Sequence, residues 1–131
     1  MKDISALLDE PETTIAVVGA TNDPSKYGNV IYRDLRRKGY KVFPVNRTSS
    51  EIEGDQAWPA LGALPEKPTI VNIVVPPEST IEVLDECLSL GLTNVWLQPG
   101  AESPEIISWL QENEFNYVAS ACIMIQSRFT E

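Results

Sequence analysis

Ten consecutive residues, Gly19-Ala20-Thr21-Asn22-Asp23-Pro24-Ser25-Lys26-Tyr27-Gly28, carry the chemistry of a phosphate-holding loop. Gly19 lets a ligand come close to the backbone, and Thr21, Ser25 and Lys26 add hydroxyl and ammonium donors. The N–H groups that open a following helix can hold an anion. The spacing is neither G-x-G-x-x-G nor a Walker A loop, since the next glycine after Gly19 is Gly28. A plain turn between a strand and a helix is the alternative. Further on, Asn46-Arg47 stands where a dinucleotide-binding chain would place an Asp or Glu for the adenosine ribose. An arginine there suits a phosphorylated ribose, so NADP and a 3′-phosphorylated adenosine both fit; an ordinary exposed loop residue is the third reading. Val75-Pro76-Pro77 and Gln98-Pro99-Gly100-Ala101 are rigid apolar corners of the kind that wall a ring or an alkyl chain. Gln98 can exchange hydrogen bonds with an amide. For Pro76-Pro77, starting a helix is reason enough without any ligand.

What the chain lacks narrows the chemistry. It has no histidine, which removes Ser-His-Asp and Cys-His nucleophile systems and His-ligated metals. Cys87 and Cys122 are too few for a disulfide framework or a zinc site. No catalytic residue and no metal ligand is therefore assigned. The net charge is −9, from 10 Lys and Arg against 19 Asp and Glu, which argues against nucleic acid as a partner. Residues 26–47 nevertheless hold seven cations against Asp34 alone, a local +6 that leaves −15 for the rest. Arg33, Arg36, Arg37 and Lys38 are expected to form a solvated basic helix face. Lys26 and Arg47 flank that helix, at the two loops described above.

The elements that must position these residues alternate in type. Segments 14–19, 41–46, 69–75, 94–98 and 116–119 are short, apolar and largely β-branched, and read as buried strands. Pro44 predicts a local irregularity or a missing ladder bond in the second. Helices are expected over about 28–38, with Val30, Ile31, Tyr32 and Leu35 inward, and over about 77–90, with Ile81, Leu84 and Leu88 on one face. A third runs from Pro104, capped by Ser103, to about Asn113. Residues 47–68 read as an irregular connector with one helical turn near Leu61, and the tail from Cys122 to Glu131 as a helical turn on the sheet edge. The 131 residues, 43% hydrophobic and 22% charged, suit one α/β domain over 1–131 with a core at about 13–128. Strand–helix alternation predicts a Rossmann-like fold, a parallel five-stranded sheet in the order 3-2-1-4-5 with helices on both faces. Ligands of such sheets lie beyond the carboxyl ends of the strands. No apolar run approaches the roughly 20 residues that span a bilayer, and none at the start suits a signal sequence, so a cytoplasmic protein without a membrane partner is expected.

Five segments in this order resemble a known family: Ile15 to Asn22, Gly39 to Asn46, Val74 to Pro77, Val95 to Gly100, and Cys122 to Ile125. The resemblance is to stand-alone coenzyme A-binding proteins and to the N-terminal CoA-binding domain of succinyl-CoA synthetase α subunits, over about residues 13–128. It implies coenzyme A or an acyl-CoA lying across the carboxyl end of the sheet. The pyrophosphate would meet Gly19, Ala20, Thr21 and Asn22 with Lys26 nearby. Adenosine would lie toward Asn46, Arg47 and the Val75-Pro76 corner, and pantetheine would run past Gln98, Pro99 and Gly100. Relatives often carry an acidic residue and a histidine just after the Cys-Ile-Met-Ile stretch, where this chain has Gln126-Ser127. The synthetases also depend on a histidine and on further domains, so ligase activity from this chain alone is not expected.

Cys87, beside Leu84 and Leu88, reads as a buried structural thiol. Cys122 lies close to the functional edge, where a mixed disulfide with the CoA thiol is conceivable. No basic residue lies beside it in sequence to activate it. The expected function is a non-catalytic binding or regulatory module for CoA, with a protein partner or a second copy of the chain as further candidates. An NADP-dependent oxidoreductase and a ligand-free protein-interaction domain are the alternatives.

Overall fold

The computed structural model describes residues 1–128. A five-stranded parallel sheet forms from β1 (Thr14–Val18), β2 (Lys41–Val45), β5 (Ile70–Ile73), β6 (Asn94–Leu97) and β7 (Asn116–Ala119), in the spatial order β2-β1-β5-β6-β7. A two-stranded antiparallel hairpin, β3 (Glu51–Ile52) and β4 (Asp55–Gln56), stands apart from it. Both faces of the sheet are covered. Val18, Val71, Ile73, Val95 and Leu97 pack with α2 (Pro77–Leu90) and α3 (Pro104–Glu112), while Ile15, Val17, Ile70 and Trp96 pack with α1 (Tyr27–Arg37), α4 (Ile123–Gln126) and an N-terminal 3₁₀ turn (Ile4–Asp9). Side chains alternate between two apolar faces, which is why these strands read as continuous hydrophobic runs. Among the described residues, no helix is long and apolar enough to cross a membrane.

The sheet is the Rossmann-like parallel sheet expected, with one difference in how its strands are counted. The strand read as third from the sequence, 69–75, forms as β5 and pairs with β1, on the side opposite β2. The place outside β2 is taken by a single parallel bridge between Val45 and Trp58, in which Trp58 N donates to Pro44 O and Asn46 N donates to Trp58 O. Counting that bridge as the third strand gives the Rossmann order 3-2-1-4-5-6. It also explains Pro44. Pro44 of β2 and Asn46 just after it face the Trp58 side while Val45 faces β1, so the N–H that proline lacks is one that β1 never needed. The strand stays regular through Val45.

Three other expectations change. On α2 the buried face is Thr80, Val83, Leu84 and Cys87, whereas Ile81 and Leu88 are exposed. Thr80 is buried because its hydroxyl donates to Ala101 O at 2.8 Å, tying α2 to the turn after β6. Lys38 is not part of a solvated face: it is 8% exposed, paired with Asp34 at 2.7 Å, and donates to Met124 O and Ser127 Oγ at 2.7 and 2.8 Å. That contact fixes α4 against the end of α1. The connector 47–68 contains the expected turn, a 3₁₀ segment at Leu61–Ala63, and also the β3–β4 hairpin, which the sequence reading lacks. Residues 129–131 of the tail lie outside the described residues.

Candidate functional site

The carboxyl ends of β1, β2, β5 and β6 open onto two adjoining cavities. One, of about 470 Å³, is bounded by Gly19, Lys26, Tyr27, Val74 to Pro76, Gln98 to Ala101 and Cys122. The other, of about 650 Å³, is bounded by Val18 to Thr21, Lys26, Val45 to Arg47, Pro59, Ala60, Val74 to Pro76, Ser79, Glu82 and Glu86. Gly19, Lys26, Val74, Val75 and Pro76 belong to both walls, so the cavities form one trough running across the sheet edge. Every site residue expected from the sequence except Asn22 lines it. Asn22 lies outside.

Packing at the crossing point leaves no room for side chains. Gly19 has φ +105°, and a Cβ there would stand 2.7 Å from Val74 O. A Cβ at Gly28, in the first turn of α1, would collide with Gly19 O. The first turn of α1 is thereby pressed against the end of β1. Lys26 occupies the N-cap position without making a side-chain cap and is exposed. Ser25 is engaged locally: its Oγ and N donate to Asp23 Oδ1 at 2.7 and 3.0 Å, and these bonds hold the Asp23 carboxyl below its usual range.

The two asparagines shape loops. Asn22 Nδ2 donates to Glu51 O and its Oδ1 accepts from Glu53 N, which joins the loop to the β3–β4 hairpin. Asn46 Nδ2 donates to Ala20 O, and its Oδ1 accepts from Thr48 N and Ser49 N, so it binds the loops after β1 and β2 together. Buried Asn29, on α1, donates to Thr21 O and Glu53 Oε2. Sequence reasoning missed Asn29, and a lone helical asparagine gives no signal of such a role.

At one end of the trough stands Gln98, 5% exposed. Its Oε1 accepts from Asn72 Nδ2 at 3.1 Å and from Ile123 N at 2.9 Å, which leaves Nε2 facing Cys122 Sγ at 3.3 Å. The amide expected to serve a ligand is thus largely engaged by the protein, and it aims an N–H at a thiol. Asn72 is fully buried, and its Oδ1 has no partner among the described residues. Cys122 is half-buried, whereas Cys87 is fully buried and its thiol is pushed up to about 12 by burial and, secondarily, by Glu86. At the other end, Arg47 Nη2 meets Glu82 Oε2 at 2.8 Å, with both side chains mostly exposed.

A glycine-floored trough at the carboxyl edge of a Rossmann-like sheet stands where the class of nucleotide-binding folds takes its ligands. Residues 13–128 match the CoA binding domain family, and the chain belongs to that family. Over 82 residues it is 37% identical to the acetate–CoA ligase [ADP-forming] II subunit alpha of Pyrococcus furiosus, covering 62% of this chain and 18% of that subunit. The chain therefore spans less than a fifth of the length of that curated relative. Among solved structures, a conserved hypothetical protein from Pyrococcus furiosus is 40% identical, with a TM-score of 0.85, over 88% of this chain and 99% of its own. The Thermus thermophilus protein cell-free ID.343 is 38% identical, with a TM-score of 0.83, over 96% of each chain.

Proposed function

We propose that the chain is a binding module, without catalysis of its own, that holds coenzyme A or an acyl-CoA along the trough. The observation that carries this reading is the continuity of the two cavities through Gly19, Lys26 and the Val74–Pro76 corner. An elongated ligand with a charged middle needs both arms and a phosphate-compatible crossing. In this reading the pyrophosphate lies over Gly19, Ala20 and Thr21 with Lys26 as its counter-charge. The adenosine arm runs between Asn46, Arg47 and Pro76, and pantetheine runs past Val75, Pro99 and Gly100 toward Gln98. Asn22 acts from behind, by holding the loop. With an acyl-CoA, the acyl group would occupy the apolar end beside Tyr27 and Ala101. The acetate–CoA ligase subunit in which a similar segment occurs supports a role in which the module supplies a CoA site to a partner protein.

The test is calorimetric titration with CoA, an acyl-CoA and NADP, after any copurified ligand has been stripped by unfolding and refolding. CoA or acyl-CoA should bind at micromolar concentrations and NADP far more weakly. Binding of NADP alone would move the protein to the oxidoreductase class; no binding at millimolar ligand would leave the fold and remove the function.

Cys122 adds a thiol reading of the same site. Its sulfur borders the arm assigned to pantetheine, where Gln98 Nε2 stands 3.3 Å from it. The Cys122 thiolate attacks one sulfur of CoA disulfide, that S–S bond breaks, a protein–CoA disulfide forms, and the second CoA leaves as its thiolate. Mass spectrometry after exposure to CoA disulfide should find one CoA adduct, on Cys122 and not on Cys87. An unmodified Cys122 would remove the thiol reading and leave the binding reading intact.

A further inference from the structure

A ribose-reading acid is missing from the end of β2, where Asn46-Arg47 stands in its place. The fold supplies a carboxylate from the opposite wall. Glu82, on α2, reaches across the trough to Arg47 at 2.8 Å. Its neighbour Glu86, one turn on, also borders the trough, but its two oxygens are engaged, accepting from Leu61 N and Gly62 N. Glu82 is therefore the acid facing the guanidinium at this end. A phosphate on the ribose that takes Arg47 must share the guanidinium with Glu82 or displace it, and in either case it lies beside that negative charge. A ribose hydroxyl meets no such opposition, because Glu82 can accept from it.

Resting on the reading that the trough holds CoA, we infer that Glu82 is the specificity-determining residue of the adenosine end. It tempers the preference for a phosphorylated ribose, so that the site accepts adenosine ligands with and without that phosphate. An arginine without such a partner would make the phosphate a condition of binding. Arg47 with Glu82 makes it an option. The ion pair is exposed, 75% for the arginine side chain and 65% for the glutamate, so the exchange is accessible without unfolding.

Titrations of CoA and dephospho-CoA into the wild-type chain, Glu82→Gln and Asp85→Asn test this. Asp85 is exposed on the same helix but does not line the trough, and serves as the control for a general charge effect. The wild type should bind the two ligands within about threefold of each other. Glu82→Gln should tighten CoA by about three- to tenfold and leave dephospho-CoA unchanged or weaker, while Asp85→Asn leaves the ratio as in the wild type. If both ligands bind and the ratio is the same in Glu82→Gln, or shifts equally in Asp85→Asn, the role given to Glu82 is wrong and the CoA reading stands. If neither ligand binds any of the three proteins, the CoA reading fails and this inference fails with it.

Discussion

At the Cys122 end of the trough, Gln98 is buried and held by Asn72 and Ile123, and its last donor points at a sulfur. At the Arg47 end, two mostly exposed side chains hold each other. The first arrangement fixes geometry before a ligand arrives, and the second can be exchanged for one. Buried hydrogen-bonded groups resist rearrangement, because any member that loses its partner carries the cost of its desolvation. Exposed ion pairs contribute little to stability, and their loss is easily replaced by water or by a ligand anion. One trough thus joins a rigid arm to an adaptable arm. The glycine crossing between them is set by sterics alone.

Removing the amide at the rigid end should have the largest effect. Gln98→Leu strands Ile123 N–H and the Asn72 amide in a buried site, and urea unfolding should show a loss of about 2–4 kcal/mol. A loss under about 0.5 kcal/mol would mean that the network is not what orders that end. At the crossing, Gly28→Ala drives a methyl group into Gly19 O and should cost about 2–3 kcal/mol, with CoA binding lost in the fraction that remains folded. Normal binding in that variant would detach the crossing from the site. Lys38→Met leaves Asp34 without its buried partner and frees α4, and should cost about 1–3 kcal/mol. Its hydrogen exchange should rise at 122–127 before it rises in β1. Arg47→Ala comes last, and should move stability by less than about 1 kcal/mol while weakening CoA more than dephospho-CoA. A large loss of stability there would erase the contrast between the ends.

The sheet strands and their helices were legible because each strand is a short apolar run between turn residues, a signal that survives without any tertiary knowledge. Trp58 was not legible: a one-residue bridge has no period. The β3–β4 hairpin has two residues per strand and a turn at Glu53-Gly54, too short to alternate. The face of α2 was misread because Ile81 and Leu88 are more apolar than Thr80, yet Thr80 is the residue with a carbonyl waiting for it at Ala101. In the site, the residue types at the strand ends were readable from composition and order. Their partners were not. Gln98 finds Asn72 and Ile123, 26 and 25 positions away, and Asn22 finds the hairpin 29 positions on. Such partnerships are set by the register of the sheet and by loop closure, neither of which leaves a local mark.

The Trp58 bridge has a further consequence, for crowding and not for ligands. An open sheet ends in unpaired backbone groups that invite a neighbouring molecule to add a strand. Beyond β2, the carbonyl of Pro44 and the N–H of Asn46 are already taken by Trp58, and Pro44 has no hydrogen to offer an intruder. The Trp58 ring packs edge-on against Phe43, at 5.5 Å between centroids, which holds the bridge in place. The Pro44 end of that border is thereby blocked against templated growth by a proline and a single borrowed residue.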